Sequence, residues 1–168
     1  MPFALASRLP VRSLSGEVGE ACTLTIATSD RMGNGCVKGG GNVTTTCVPK
    51  TKDGKDNAEC EVEDKHDGSY ELRWTSERTG QFVARVMIDG HEVLGSPLPV
   101  TFISSRPMLG KCEVWGGGLT QALLGEPSSI CIRFKDLFGN VCSPAGALRA
   151  NFRVGMQQQR DQAHAANA

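Results

Sequence analysis

The sequence predicts an all-β protein built as an antiparallel sandwich, and three observations carry that reading. Short runs alternate apolar and polar residues with a period of two, as strands with one buried face do. The runs are separated by Asp, Asn and Gly clusters, which hydrogen-bond their own backbone or accept positive φ. No amphipathic stretch of helical period interrupts the first hundred or so residues.

Taken in order, Cys22-Thr23-Leu24-Thr25-Ile26-Ala27 puts Cys22, Leu24 and Ile26 on one face, and Asp30 to Gly35 follows as a turn. Val43 to Val48 is β-branched and poor in helix formers. Lys50 to Asn57 is a polar loop around Asp53-Gly54. Ala58 to Glu63 alternates strictly, which predicts Ala58, Cys60 and Val62 inward and Glu59, Glu61 and Glu63 outward. After the turn Asp64 to Ser69, Tyr70, Leu72 and Trp74 share a face. Gly80 opens a strand in which Phe82, Ala84, Val86 and Ile88 face one way, and Asp89-Gly90 is a two-residue hairpin signal. Val93 and then Leu98, Val100 and Phe102 close the set, with Gly95-Ser96-Pro97 bending its start. Short strands with frequent turns are the pattern of a sandwich.

Composition narrows the function. The 168 residues carry 18 Lys+Arg and 18 Asp+Glu, a formal net charge of zero. A nucleic-acid binder or a polybasic membrane-surface protein needs a basic face, and no apolar run approaches the roughly 18–20 residues that span a bilayer. The seven cysteines are an odd number, and Met1 to Leu14 has no uninterrupted apolar segment of the signal-peptide kind. The expected setting is a reducing cytoplasm in which Cys packs as a small apolar residue. The sequon Asn42-Val43-Thr44 leaves an extracellular part of a membrane protein as the alternative.

The chain repeats itself. At an offset of 106 residues, Gly19-Glu20 falls on Gly125-Glu126, Ile26 on Ile132, Asp30 on Asp136, Gly33-Asn34 on Gly139-Asn140, Cys36 on Cys142 and Gly40 on Gly146: eight identities over residues 19–40. One residue of slip then sets Val43, Thr45 and Cys47 over Leu148, Ala150 and Phe152. The expected organisation is one complete unit over 4–104, the first half of a second over 107–154, and a Gln- and Ala-rich tail over 155–168 that lacks the apolar residues to order itself. A half sandwich leaves Ile130, Ile132, Phe134 and Phe152 with one face uncovered. The second unit is therefore expected to be disordered, to lean on the first, or to pair with another copy.

These residues resemble the filamin-type immunoglobulin-like repeat. The matching features are Gly19-Glu20, Asp30 with Gly33-Asn34, and Gly39 to Gly41 in the front half. In the second half they are Asp64, Asp67-Gly68 and Tyr70, then Gly80 with Phe82, then Gly90 and Gly95-Ser96-Pro97. Gly116 to Leu119 and Gly125-Glu126 are similar to the family's opening of a further repeat. Unit one departs from that opening, with Arg8-Leu9-Pro10 in its place, and carries Trp74 where Tyr is common and Leu98 where Phe is common. The resemblance implies an immunoglobulin-like antiparallel β-sandwich. It also implies a non-catalytic spacer and interaction module that binds an extended peptide by adding a strand to a sheet, with other filamin-type repeats as further partners. The groove would be walled by Val43, Thr45 and Cys47 on one strand and Ala58, Cys60 and Val62 on the next. Parents carrying such repeats include cytoskeletal and scaffold proteins, ubiquitin ligases whose catalytic part would lie outside this chain, and plant-type gamete-surface adhesion proteins.

Catalytic templates fail. No phosphate loop and no nucleophile elbow is present. Gly33-Asn34-Gly35 and Gly116 to Gly118 lack the third glycine of a dinucleotide fingerprint. His66, His91 and His164 have no Cys or His partner at ligand spacing, and Asp64 with Asp67 lacks the distal Glu of a calcium loop. No metal, cofactor or catalytic residue is expected. Denaturing thiol titration of protein prepared without reductant is expected to count seven thiols per chain; a reproducible disulfide would transfer the weight to the extracellular setting.

Overall fold

Alternating burial turns each predicted run into a strand. The computed structural model describes residues 1–51 and 57–144. The Asp53-Gly54 loop, the repeat partners Gly146, Leu148, Ala150 and Phe152, and the tail lie outside the described residues. In chain order the strands are β1 (Leu14–Glu17), β2 (Cys22–Ala27), β3 (Val43–Pro49), β4 (Glu59–Asp64), β5 (Ser69–Thr75), β6 (Gly80–Ile88), β7 (His91–Glu92), β8 (Leu98–Ile103), β9 (Glu113–Trp115) and β10 (Cys131–Arg133). Short 3₁₀ turns stand at Ala4–Ala6, Leu109–Lys111 and Gly117–Leu119.

Two sheets form the sandwich. One runs β2-β5-β4, antiparallel throughout. The other runs β1-β8-β6-β3, with β7 paired to β6. Between them Cys22, Leu24, Ile26, Tyr70, Leu72 and Trp74 face Val43, Cys47, Phe82, Ala84, Val86, Ile88, Leu98, Val100 and Phe102, all buried. Phe82 and Phe102 meet edge to face, centroids 5.2 Å apart, the arrangement their ring quadrupoles favour. This is the all-β sandwich that the alternation predicts, in the immunoglobulin-like form that the resemblance implies.

Three expectations need correction. The sandwich is not wholly antiparallel, because β1 pairs with β8 in parallel, Leu14 opposite Val100; four residues without full alternation gave no strand signal. Val62 points inward, opposite the buried Leu72, but is not buried as expected, being 37% exposed, because β4 is the edge strand of its sheet. Arg8-Leu9-Pro10 does not stand in place of Gly116 to Leu119. Phe3 N–H donates to Ser29 O (2.7 Å) and Met108 N–H to Lys135 O (2.8 Å). Ser7 Oγ donates to Phe3 O at 2.9 Å and Cys112 Sγ to Met108 O at 3.3 Å. These bonds set an offset of 105 at the start of each unit, so Leu119 corresponds to Leu14 and Arg8–Pro10 to Glu113–Trp115.

The repeat is reproduced bond for bond further on. Asp30 N–H donates to Asn34 O and Asp136 N–H to Asn140 O, at 2.8 and 2.9 Å. Cys36 N–H donates to Thr28 O and Cys142 N–H to Phe134 O, at 2.9 and 3.1 Å. Of the second unit, the described residues hold one antiparallel pair, β9-β10, with Cys131 opposite Trp115.

One glycine governs the crossing of loops at the end of the first unit. Thr28 Oγ1 and Thr28 N–H both donate to Gly68 O, at 2.7 and 3.0 Å. This draws Gly68 against the main chain of Cys36 at φ +88°, where a Cβ would lie 1.9 Å from Cys36 O. Gly33 has a similar φ of +85° with nothing within 4 Å. Gly33→Ala is therefore expected to cost only the left-handed backbone penalty, about 1–2 kcal/mol. Gly68→Ala adds a backbone clash and is expected to cost more than about 3 kcal/mol in urea denaturation; equal losses would show that the crossing relaxes freely.

Candidate functional site

The predicted groove lies between β3 and β4, which sit at the edges of opposite sheets and do not pair. Asp89 N–H donates to Asn42 O (3.0 Å) and Lys50 N–H to Gln81 O (2.9 Å). Even-numbered residues of β3 therefore turn their main chain toward β6, and odd-numbered residues turn theirs to the open edge.

That edge is closed at both ends. At one end Ala58 N–H donates to Cys47 O (3.0 Å). At the other, Gly40 N–H donates to Asp64 Oδ2 and Gly41 N–H to Tyr70 Oη, each 2.7 Å, and Val43 N–H is taken by Gly41 O (3.0 Å). Between them Thr45 presents its main-chain N–H and C=O to the edge, with no partner among the described residues. The far wall is Cys60, half-buried, and Val62, exposed. Behind Thr45, Trp74 Nε1–H donates to Thr45 Oγ1 (3.0 Å), and that hydroxyl donates to Arg85 O (2.9 Å).

The predicted wall residues thus divide. Val43, Cys47 and Ala58 are buried and serve the core. Thr45, Cys60 and Val62 meet at the opening. The two ties that limit the opening, from Ala58 and Asp64, left no signal in residue spacing. Trp74 is 0% exposed and is a core residue whose one polar atom braces the groove.

The signature residues build turns. Asp64 Oδ1 accepts from His66 N–H and Asp67 Oδ1 from Ser69 N–H, at 2.8 and 2.9 Å. Gly19, Gly33, Gly68, Gly80, Gly90 and Gly95 hold positive φ in loops or at strand starts. Glu20 lies in the β1–β2 turn, its N–H donating to Glu17 O, and Val86 N–H donates to Ser96 Oγ ahead of Pro97. Tyr70 and Phe82 are buried.

Charge lies outside the groove. Glu59, Glu61 and Glu63 point to the outer face of β4. Lys65 Nζ reaches Glu63 (2.8 Å) and Glu71 (3.2 Å), and Arg73 reaches Glu63 (3.0 Å) and also pairs with Glu71. Exposed pairs of this kind contribute at most about 1 kcal/mol each.

The thiols of Cys22, Cys47, Cys60 and Cys142 are not poised as nucleophiles. Burial pushes Cys47 up to about 12, and also raises Cys22, Cys60 and Cys142; a nucleophilic Cys needs the opposite shift. Among the described residues no group of His, Cys, Asp and Glu could hold a metal, and no helix is long and apolar enough to cross a membrane.

The fold and the placement of the two edges define an immunoglobulin-like module with an open strand edge. The Filamin/ABP280 repeat family matches residues 6–99, and the chain belongs to that family. It is 35% identical over 83 residues to the E3 ubiquitin-protein ligase TRIM45 of Mus musculus, a match covering 49% of this chain and 14% of that protein. Among solved structures, the Lin-41 filamin domain is similar at a TM-score of 0.52 and 16% identity, covering 61% of this chain and 96% of that one. The Escherichia coli adhesin FdeC is similar at 0.60 and 19%, covering 83% of this chain and 43% of that one. The bacterial integrin-binding protein invasin is similar at 0.58 and 21%, covering 85% and 28%. At these identities the solved structures speak for the fold alone.

The Asp64 tie is pH-dependent. Bonds from Gly40 and then His66 hold its carboxyl below the ordinary range. Its contribution is complete above the unfolded value, about 3.9, and is lost as pH falls through the lower folded value. The Gly40 amide proton is expected to titrate with a midpoint below about 3.9; a midpoint above it would mean that the tie is absent in solution.

Proposed function

We propose that this chain is a non-catalytic interaction module that takes up an extended peptide as an added strand on the outer edge of β3. The observation that supports this best is the free main chain of Thr45, facing a wall of Cys60 and Val62 between two closed ends. Main-chain bonds at Thr45 supply affinity, and alternate peptide side chains against Val62 and Cys60 supply selectivity. In this reading residues 4–104 are a self-sufficient repeat, 107–154 open a second, and the module works in the cytoplasm as part of a scaffold or cytoskeletal protein.

The likeness to TRIM45 favours a second reading of the setting, in which the module is the partner-binding repeat of a ubiquitin ligase whose catalytic part lies elsewhere. The groove has the same task in both.

Peptides selected from a random display library against the full chain test the site. They are expected to shift the amide resonances of Thr45, Cys47, Cys60 and Val62, to slow exchange of the Thr45 N–H, and to leave Glu71 and Arg73 unmoved. Val62→Arg fills the opening and is expected to weaken binding at least about tenfold. Peptides that bind the outer face of β2-β5-β4 instead would overturn the assignment.

A further inference from the structure

The Asp136–Asn140 turn of the second unit is seated on the first. Asn140 Nδ2 donates to Glu77 O (2.8 Å), Thr79 N–H donates to Asn140 Oδ1 (3.3 Å), and Ser105 N–H donates to Asp136 Oδ2 (3.3 Å). Phe138 closes over Gly19, where a Cβ would lie 2.6 Å from its ring. Asp136 is 0% exposed at this seam.

The first unit carries the same turn, with Arg31 over the Phe3 ring at 5.8 Å and Met32 and Asn34 left outward. Asp30 Oδ1 accepts from Met32 and Asn34 N–H at 2.9 Å each, as Asp136 Oδ1 does from Phe138 and Asn140 at 3.0 and 2.9 Å. Asn34 Nδ2 reaches both Asp30 oxygens, as Asn140 Nδ2 reaches both of Asp136. The outward side differs: Met32, the counterpart of Phe138, is 84% exposed, and no main-chain group takes up Asn34 Oδ1 among the described residues.

We propose that the Asp30–Asn34 turn is a docking plug for another filamin-type repeat. The partner's receiving end has the chemistry seen here at Gly19, Glu77 and Thr79. It offers a position without a side chain to admit Met32, an outward carbonyl for Asn34 Nδ2 and an outward N–H for Asn34 Oδ1. Met is unbranched and adapts to a socket that Phe fills. The contact does not involve β3 or β4, and it does not rest on the peptide reading. One turn is a small contact, so it acts between tethered or concentrated repeats, where effective concentrations reach about millimolar.

Two arms on the full chain test this. In the first, Leu137→Arg with Phe138→Met grafts the unit-one turn onto the seated position. The Thr79 and Ser105 amides are expected to keep their exchange protection within about threefold, whereas Asn140→Ala exposes Thr79 by about tenfold or more. In the second, a chain carrying Phe138→Gly and Asn140→Ala, whose receiving end is vacated, is titrated into wild-type chain labelled at Met methyls. The Met32 methyl is expected to shift saturably with a midpoint of about a millimolar, and to stay unmoved when wild-type chain, whose receiving end is filled, is added instead. A graft that exposes Thr79 as Asn140→Ala does, or a Met32 methyl that ignores the vacated chain or responds equally to both, would overturn the proposal.

Discussion

One hydrogen bond, from Trp74 Nε1 to Thr45 Oγ1 at 3.0 Å, braces the middle of β3 against the opposite sheet. Trp74 is the largest fully buried side chain. It lies in the middle strand of its sheet, opposite Cys22 on one side and Cys60 on the other, so both neighbours are small and the indole fills the space between sheets. Its N–H cannot reach water and must find an acceptor across the core. Thr45 supplies one and passes its own proton to Arg85 O, within the sheet it belongs to. The result is an edge strand held at a set distance from β4, with its outward main chain left free at that same residue.

Around this brace the groove is shaped by what closes it. Ala58 N–H on Cys47 O and Gly40 N–H on Asp64 Oδ2 stitch β3 to the start and finish of β4. An unpaired strand edge invites aggregation, and natural sheets shorten or charge such edges. Here shortening is achieved by the two ties, while Glu59 and Glu61 charge the outer face of β4. What remains is a short opening backed by Cys60 and Val62.

Much of this was legible in the residues. Periodicity of two located β2, β4, β5, β6 and β8, β-branched composition located β3, and Asp89-Gly90 marked the β6–β7 hairpin, because side-chain alternation, propensity and turn chemistry are local properties. The parallel pairing of β1, the exposure of Val62 and the register at Arg8–Pro10 were not legible, because each depends on which strand lies alongside, and spacing carries no information on that. The same division holds at the groove. Its six wall residues follow from the family pattern, but their separation into three buried residues and three at the opening depends on where the ties from Ala58 and Asp64 close the edge. The internal repeat was legible as identities at one offset. That its second copy seats Asn140 and Phe138 on the first, while the first copy leaves Asn34 and Met32 outward, needed the fold.

Equilibrium unfolding of Thr45→Val measures the brace most directly. Valine keeps the shape of threonine and removes the acceptor, so the buried Trp74 N–H loses its partner, at a cost of about 1–3 kcal/mol. Thr46→Val, one residue along and facing solvent, is the control and is expected to stay within about 0.5 kcal/mol of the parent. If Thr45→Val were as stable as Thr46→Val, apolar packing and the ties from Ala58, Gly40 and Gly41 would hold β3 in place, and the bond between Trp74 and Thr45 would not be what positions the groove.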